Sequence, residues 1–99
     1  MLNIEKKSEG NNLDIVLTGR LDTTTAPDLE KEVKENLEGV EKLTFDFASL
    51  EYISSAGLRV LLSAQKIMNK QGTMVVKNTS DEVKEIFDVT GFSDILTIE

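Results

Sequence analysis

The chain has 99 residues, a length that fits one small domain with a modest core. Its 18 acidic and 11 basic residues give a formal charge of −7, and no cluster of Lys and Arg is present. A nucleic-acid partner is therefore disfavoured, and the acidity indicates either a partner with a basic docking face or simply a well-solvated surface. No apolar run approaches the roughly 18 residues of a membrane span, and no secretory leader opens the chain. We expect a cytoplasmic protein with no membrane partner.

Two residue types that are frequent in enzyme active sites are missing. The sequence has no histidine and no cysteine, which removes Ser-His and Cys-His nucleophilic sites and nearly all zinc sites. No glycine-rich loop with a lysine is present to hold a phosphate group. The acidic residues of the first predicted helix are mixed with lysines, as is typical of a solvated helix surface. We therefore predict no enzyme activity, no cofactor and no metal.

The N-terminal part of the chain predicts a β-hairpin. Residues 2–6 alternate weakly and indicate an edge strand, and residues 9–12 form a turn signal. Residues 13–18 are β-branched and mostly apolar, as in a more buried strand. Because the two runs are separated only by the turn, we expect them to pair with each other.

A helix and a strand follow the hairpin. Thr24 or Thr25 is expected to cap the helix, with Pro27 in its first turn and Gly39 at its end. Residues 43–47 then alternate apolar and polar side chains, which predicts a half-buried strand.

The C-terminal half repeats this alternation. Residues 58–68 have apolar side chains at helical spacing, and residues 73–77 form a short apolar strand. Ser80 is expected to cap a third helix that stops at Gly91. Residues 95–98 indicate a final strand or a short docking tail. The order β-β-α-β-α-β-α-β predicts an α/β fold in which helices pack on a mixed, mostly parallel sheet, as one domain over residues 1–99.

A pair of serines lies at the junction between the strand at 43–47 and the helix that follows it. Ser54 and Ser55 are good helix caps, and capping alone explains one serine. A second hydroxyl, the poor helix former Gly57 and the cation Arg59 in the first turn are not explained by capping. Because a helix N-terminus tolerates an added anion, a serine there can be phosphorylated without loss of the fold. The junction therefore predicts either an ordinary cap or a regulatory switch.

Three segments resemble one known family. Residues 53–62, ISSAGLRVLL, with Leu50 and Tyr52 before them, resemble the phosphorylation-site motif of the anti-sigma factor antagonists of the STAS-domain family. Residues 17–26 are similar to the strand-loop-helix segment L-x-G-x-L-D-x-x-x-A of that family, and residues 85–92 resemble its closing helix. The three motifs have the family's order and cover almost the whole chain.

The resemblance implies a function and its partners. Members of this family bind an anti-sigma factor, typically a serine kinase of the histidine-kinase-like ATPase class, and so free the sigma factor. The kinase phosphorylates the antagonist and ends the interaction, and a PP2C-type phosphatase reverses the modification. The resemblance therefore implies partner-switching regulation of transcription.

The resemblance also indicates the site. The best-known form of the family motif is D-S-S/T-G-L, phosphorylated on the serine after the aspartate. Alignment on Gly57 and Leu58 places Ser54 at the aspartate and Ser55 at the phosphoacceptor, with Ser54 as the second choice because capping allows either. We expect a loop at residues 52–57 and a neighbouring loop at the same sheet edge to contact the partner. The expected contact residues are Asp22, Thr23, Thr24, Tyr52, Ser54, Ala56, Gly57 and Arg59.

Two other functions compete with this reading. A STAS module of a transporter or a lipid-transport complex would use the serine as a binding contact that is never modified. A nucleotide-binding protein is disfavoured, because the sequence has neither a phosphate loop nor an evident metal cluster.

Overall fold

The computed structural model describes residues 2–99. The elements follow in the order β1 (Leu2–Glu9), β2 (Asn12–Leu21), α1 (Ala26–Asn36), β3 (Lys42–Ile53), α2 (Ser55–Asn69), β4 (Thr73–Lys77) and α3 (Asp81–Thr90). A short 3-10 turn, Phe92–Asp94, follows α3. The α/β fold class and the element order that the sequence predicted are confirmed.

The four strands form one mixed sheet in the order β1-β2-β3-β4. β1 pairs antiparallel with β2 through a tight turn between Glu9 and Asn12, where Gly10 has a φ of +59°. Glycine suits this position because a left-handed backbone carries no Cβ penalty there. β3 and β4 are added in parallel, each after a helical connection.

The core lies on one face of the sheet. Ile15, Phe45 and Val76 are in register across β2, β3 and β4, and all three are fully buried. Successive side chains of a strand point to opposite faces, and on the other face Asp14 and Lys77 are exposed. The helices contribute to the same apolar cluster through Leu29, Val33, Leu61, Met68, Val83 and Phe87. Within residues 2–99, the helices therefore pack on one face of the sheet, and no helix covers the other face.

β3 is longer than the strand at residues 43–47 that the sequence predicted. Val16 pairs with Asp46, but Thr18 pairs with Ser49, so β3 carries an extra residue between the two pairs. Such a β-bulge interrupts the alternation of apolar and polar residues while the strand continues. The loss of alternation after residue 47 therefore marks a bulge and not the end of the strand.

The continuation of β3 shortens the junction before α2. The loop expected at residues 52–57 is not present, because Tyr52 and Ile53 belong to β3 and α2 begins at Ser55. Ser54 is the only residue between the two elements. The strand thus leads directly into the helix N-terminus.

The start of α1 differs from the expected side-chain cap. Thr25 is the residue before the helix, as predicted, but its hydroxyl makes no capping hydrogen bond. That hydroxyl instead accepts a hydrogen bond from the Asp22 N–H at 2.8 Å and donates one to the Arg20 carbonyl at 2.9 Å. Thr25 therefore secures the loop between β2 and α1. The helix ends at Asn36, ahead of the predicted stop at Gly39.

The C-terminal segment lies along β4. Its β structure is one parallel bridge between Val76 and Ile98. The Val76 N–H donates to the Thr97 carbonyl at 2.9 Å, and the Glu99 N–H donates to the Val76 carbonyl at 2.8 Å. The last predicted β element is thus a single bridge, and it pairs with the outer edge of β4.

Candidate functional site

The carboxyl ends of β2 and β3 bring the two predicted site segments together. The strands are parallel, and Leu21 at the end of β2 pairs with Ile53 at the end of β3. The Ser54 N–H donates a hydrogen bond to the Leu21 carbonyl at 2.9 Å. The loop that begins at Asp22 therefore starts beside the residue that caps α2.

The loop after β2 is held by a single carboxylate. Oδ1 of Asp22 accepts hydrogen bonds from the Thr24 N–H at 2.9 Å, the Thr24 hydroxyl at 2.7 Å and the Thr25 N–H at 3.1 Å. The hydrogen bond from the Thr24 hydroxyl, helped by the backbone donors, lowers the pKa of Asp22 below its ordinary value. The loop is thus ordered by its own hydrogen bonds, and it presents Thr23 and Thr24 to solvent.

The two serines at the start of α2 differ in their environments. Ser54 has an extended backbone, is half-buried, and accepts a hydrogen bond from the Gly57 N–H at 3.4 Å through its side chain. Ser55 is the first helical residue and is exposed, and among residues 2–99 no hydrogen bond uses its hydroxyl. Ser54 is therefore the structural cap, and the hydroxyl of Ser55 is accessible.

The first turn of α2 has the electrostatics of an unneutralised helix N-terminus. It contains no acidic residue. The free N–H groups of a first turn carry a partial positive charge of about half an elementary charge. An anion on Ser55 would therefore be placed where the helix favours negative charge.

Gly57 allows this helix to approach the sheet closely. A Cβ at this position would lie 2.7 Å from Cγ of Leu21 and 2.9 Å from Cγ1 of Ile53. Gly57 is buried, so its side of the helix faces the ends of β2 and β3. Of the predicted contact residues, Gly57 therefore positions the site and does not present a side chain to a partner.

A shallow groove of about 300 Å³ separates the first turns of α1 and α2. Arg59 is exposed on one side of this groove, and Glu30 lies on the other, where it forms a salt bridge of 3.1 Å with Lys34. The groove is lined by Thr23, Ala26, Pro27, Glu30, Ala56, Arg59, Val60 and Ser63. The predicted contact residues Thr23, Ala56 and Arg59 thus share one surface.

Tyr52 is the predicted site residue that lies in a strand. The residue is 37% exposed, and the Arg20 guanidinium carbon lies 4.5 Å from the ring centroid. Arg20 was not among the residues predicted from the sequence. Its signal was weak, because only its position just before the end of β2, next to buried Leu21, sets it apart from other surface cations.

Neither a metal site nor a membrane-spanning helix is found in the part of the chain that the structure describes. Within residues 2–99, no group of His, Cys, Asp or Glu is arranged to hold a metal ion. No helix in this range has both the length and the apolar character needed to cross a membrane.

The fold is that of a STAS domain. The sequence profile of the STAS domain family matches residues 3–99, and the chain belongs to this family. An anti-sigma-B factor antagonist from Listeria monocytogenes is 33% identical over 97 residues, which cover 95% of this chain and 84% of the relative. The resemblance to anti-sigma factor antagonists that the motifs indicated is therefore confirmed.

Two solved structures share the fold at low sequence identity. An anti-sigma factor antagonist from Mycobacterium paratuberculosis superposes with a TM-score of 0.89 at 18% identity, covering 99% of this chain and 85% of that one. The Bacillus cell fate determinant SpoIIAA in its phosphorylated form superposes with a TM-score of 0.77 at 16% identity, covering 98% and 91%. At these identities the two comparisons concern the fold alone.

Proposed function

We propose that this chain acts in the cytoplasm as an anti-sigma factor antagonist that is switched off by phosphorylation of Ser55. The unmodified chain binds an anti-sigma factor that is also a serine kinase of the histidine-kinase-like ATPase class. The kinase transfers a phosphoryl group to Ser55 and the complex separates, and a PP2C-type phosphatase restores the binding state. The observation that carries the proposal is the exposed hydroxyl of Ser55 on a first helical turn without acidic residues.

Ser55 is a better acceptor than Ser54 on physical grounds. The Ser54 side chain is engaged in capping Gly57, and its residue is half-buried. Modification of Ser54 would have to take place on the oxygen that already accepts the Gly57 N–H, in a residue that is only half exposed. Modification of Ser55 leaves that cap intact.

The partner is expected to cover the surface around Ser55. Thr23, Ala56 and Arg59 line the groove on one side of it, and Asp22 holds the loop that presents Thr23. This surface is formed by two adjacent segments with exposed side chains, which suits a protein partner. No enzyme activity and no cofactor are needed for such a role.

The phosphate would act on the complex and not on the fold. It adds about −1.5 to −2 charges and considerable bulk at the centre of the contact surface. The N-terminus of α2 stabilises that charge within the chain, by about 0.3–1 kcal/mol for an exposed anion. A loss of about 4 kcal/mol in binding corresponds to a thousandfold weaker complex. The antagonist therefore stays folded while it releases its partner.

Two substitutions at Ser55 test this proposal. Calorimetric titration against the anti-sigma factor from the same organism should give wild-type affinity for Ser55→Ala, before and after incubation with ATP. Ser55→Asp should bind about a thousandfold more weakly and keep its thermal unfolding midpoint. Ser80→Asp is the matched control, because it adds the same charge at the N-terminus of α3, where aspartate is an equally good cap.

The affinities of these variants distinguish a phosphorylation switch at Ser55 from an unmodified binding contact. Ser80→Asp should bind with wild-type affinity. If Ser55→Ala and Ser55→Asp bind the anti-sigma factor equally well, Ser55 is not a switch. The serine is then an unmodified contact, as in a STAS module that serves another complex.

A further inference from the structure

Arg59 lies one helical turn after Ser55 on the same side of α2. Ser55 is the first residue of the helix and Arg59 is the fifth, and both are exposed. Residues four apart on a helix are neighbours, with about 5–6 Å between their Cβ atoms. A long helical side chain also points back toward the N-terminus of its helix. The Arg59 guanidinium can therefore reach a group attached to the Ser55 oxygen without a change in the backbone.

α2 differs from the other two helices in its charged residues. Its 15 residues include no Asp and no Glu, although the whole chain has 18 acidic residues. α1 and α3 each carry several acids mixed with lysines. The charged side chains of α2 are those of Arg59 and Lys66. No carboxylate of its own helix is therefore available to pair with Arg59.

Arg59 also has no ionic partner elsewhere in the unmodified chain. Neither salt bridge found within residues 2–99 includes it. Glu30 lines the opposite side of the groove but is paired with Lys34 at 3.1 Å, and Asp22 accepts hydrogen bonds from its own loop. A cation is moreover the less favourable charge near a helix N-terminus. Neither helix stability nor an ion pair among the described residues explains a cation at this position.

We propose that Arg59 binds the phosphate on Ser55 within the same chain. The inference rests on the proposed function and adds the side chain that receives the phosphate. A guanidinium matches two phosphate oxygens through parallel hydrogen bonds, which is a geometry that lysine does not offer. A phosphate opposite an arginine forms one to three charge-assisted hydrogen bonds. The phosphorylated chain therefore gains an ion pair at the start of α2.

This contact changes the groove between α1 and α2 as well as the serine. In the unmodified chain, Arg59 lines that groove together with Thr23 and Ala56. When the guanidinium binds the phosphate, it turns from the groove toward Ser55. Phosphorylation then alters the surface in two ways, because it adds an anion at Ser55 and withdraws a cation from the groove.

The ionisation of the phosphate is the first test. The chain is produced with phosphoserine inserted at position 55 during translation, so that the test needs no kinase. Phosphorus NMR during a pH titration gives the second pKa of the phosphate, which is ordinarily about 6. This pKa should be about half a unit lower in wild type than in Arg59→Gln, because the guanidinium stabilises the dianion.

Lys66→Gln is the matched control for this titration. It removes the same charge from an exposed site in the last turn of α2, about 16 Å from Ser55 along the helix axis. This separation exceeds the screening length at physiological salt. The phosphate pKa of Lys66→Gln should therefore stay within about 0.1 unit of the wild-type value.

Thermal unfolding with and without the phosphate is the second test. The phosphate should raise the unfolding midpoint by about 3 °C more in wild type than in Arg59→Gln. Without the phosphate, Arg59→Gln should unfold within about 2 °C of wild type, because it changes an exposed side chain. This last comparison separates the loss of the contact from a general loss of stability.

Failure of this inference and failure of the proposed function give different results. If wild type, Arg59→Gln and Lys66→Gln share one phosphate pKa, the contact is wrong, whatever the midpoints are, and the proposed function stands. An equal rise of the midpoint in wild type and Arg59→Gln also overturns the contact. If both differences are found but phosphoserine at position 55 leaves binding to the anti-sigma factor unchanged, the contact is right and the proposed function is wrong.

Discussion

The N-termini of α2 and α3 share a serine cap but differ in the charges of their first turns. Each helix follows a serine with an extended backbone, and each serine accepts a hydrogen bond from a first-turn N–H. The Ser54 hydroxyl oxygen lies 3.4 Å from the Gly57 nitrogen, and the Ser80 hydroxyl oxygen lies 3.2 Å from the Val83 nitrogen. As caps, the two serines do the same work.

The charges that follow the caps differ. The first turn of α3 contains Asp81 and Glu82, which interact favourably with the helix dipole. The first turn of α2 contains no acid, and an accessible second serine stands at its first position. The first turn of α3 therefore carries its own negative charge, whereas the first turn of α2 carries none. The contrast shows how one chain can hold an ordinary helix start and a start suited to a regulatory anion.

The largest effect is expected from adding a side chain at Gly57, where α2 packs against the ends of β2 and β3. Gly57→Ala would place a Cβ 2.7 Å from Cγ of Leu21, so either the helix or the Leu21 side chain must shift. We expect a loss of about 1–3 kcal/mol in the free energy of unfolding, measured by urea denaturation. Ser63→Ala, an exposed change on the same helix, should stay within about 0.5 kcal/mol of wild type. Equal stabilities for the two variants would contradict the close packing of Gly57.

A smaller effect compares the two caps directly. Ser80→Ala should reduce the free energy of unfolding by about 1 kcal/mol. Ser54→Ala should cost less, because its hydrogen bond is the longer of the two. Both values come from chemical denaturation under identical conditions. A larger loss for Ser54→Ala would mean that its capping bond is the stronger of the two.

The smallest effect concerns the loop beside α2. Hydrogen bonding from Thr24 lowers the pKa of Asp22 in the folded chain relative to the unfolded chain. The resulting stabilisation is complete above the unfolded pKa and is lost as the pH falls through the folded pKa. Denaturation at several pH values below about 4 should therefore show a shallower decline for Asp22→Asn than for wild type. Parallel declines would contradict the role of this carboxylate.

Local patterns predicted most of the fold. The hairpin, the alternation of helices and strands, a serine cap at the Ser54–Ser55 junction and the capping role of Ser80 follow from side-chain periodicity and helix-cap preferences, which act over a few residues. The end of β3 was missed because its bulge breaks the alternation that defines a strand in sequence. The hydroxyl of Thr25 was assigned to capping, but it bonds the loop that contains Asp22.

The parts of the candidate site that lie within one continuous stretch of sequence could be predicted. The serine junction and the loop at Asp22 were recognised from the residues and from family motifs. The Arg20–Tyr52 pair was not, because it depends on the register of two strands that are distant in sequence. The division of roles between Ser54 and Ser55 likewise needed the geometry of the cap.

Phosphosite mapping after incubation with ATP and the anti-sigma factor kinase from the same organism tests the central contrast most directly. We predict one phosphate, on Ser55, with none on Ser54 or Ser80. The modified chain should keep or raise its thermal unfolding midpoint while it no longer binds the kinase. A chain that carries no phosphate on Ser55, or that unfolds when Ser55 is modified, would contradict the assignment of the α2 N-terminus as the switch.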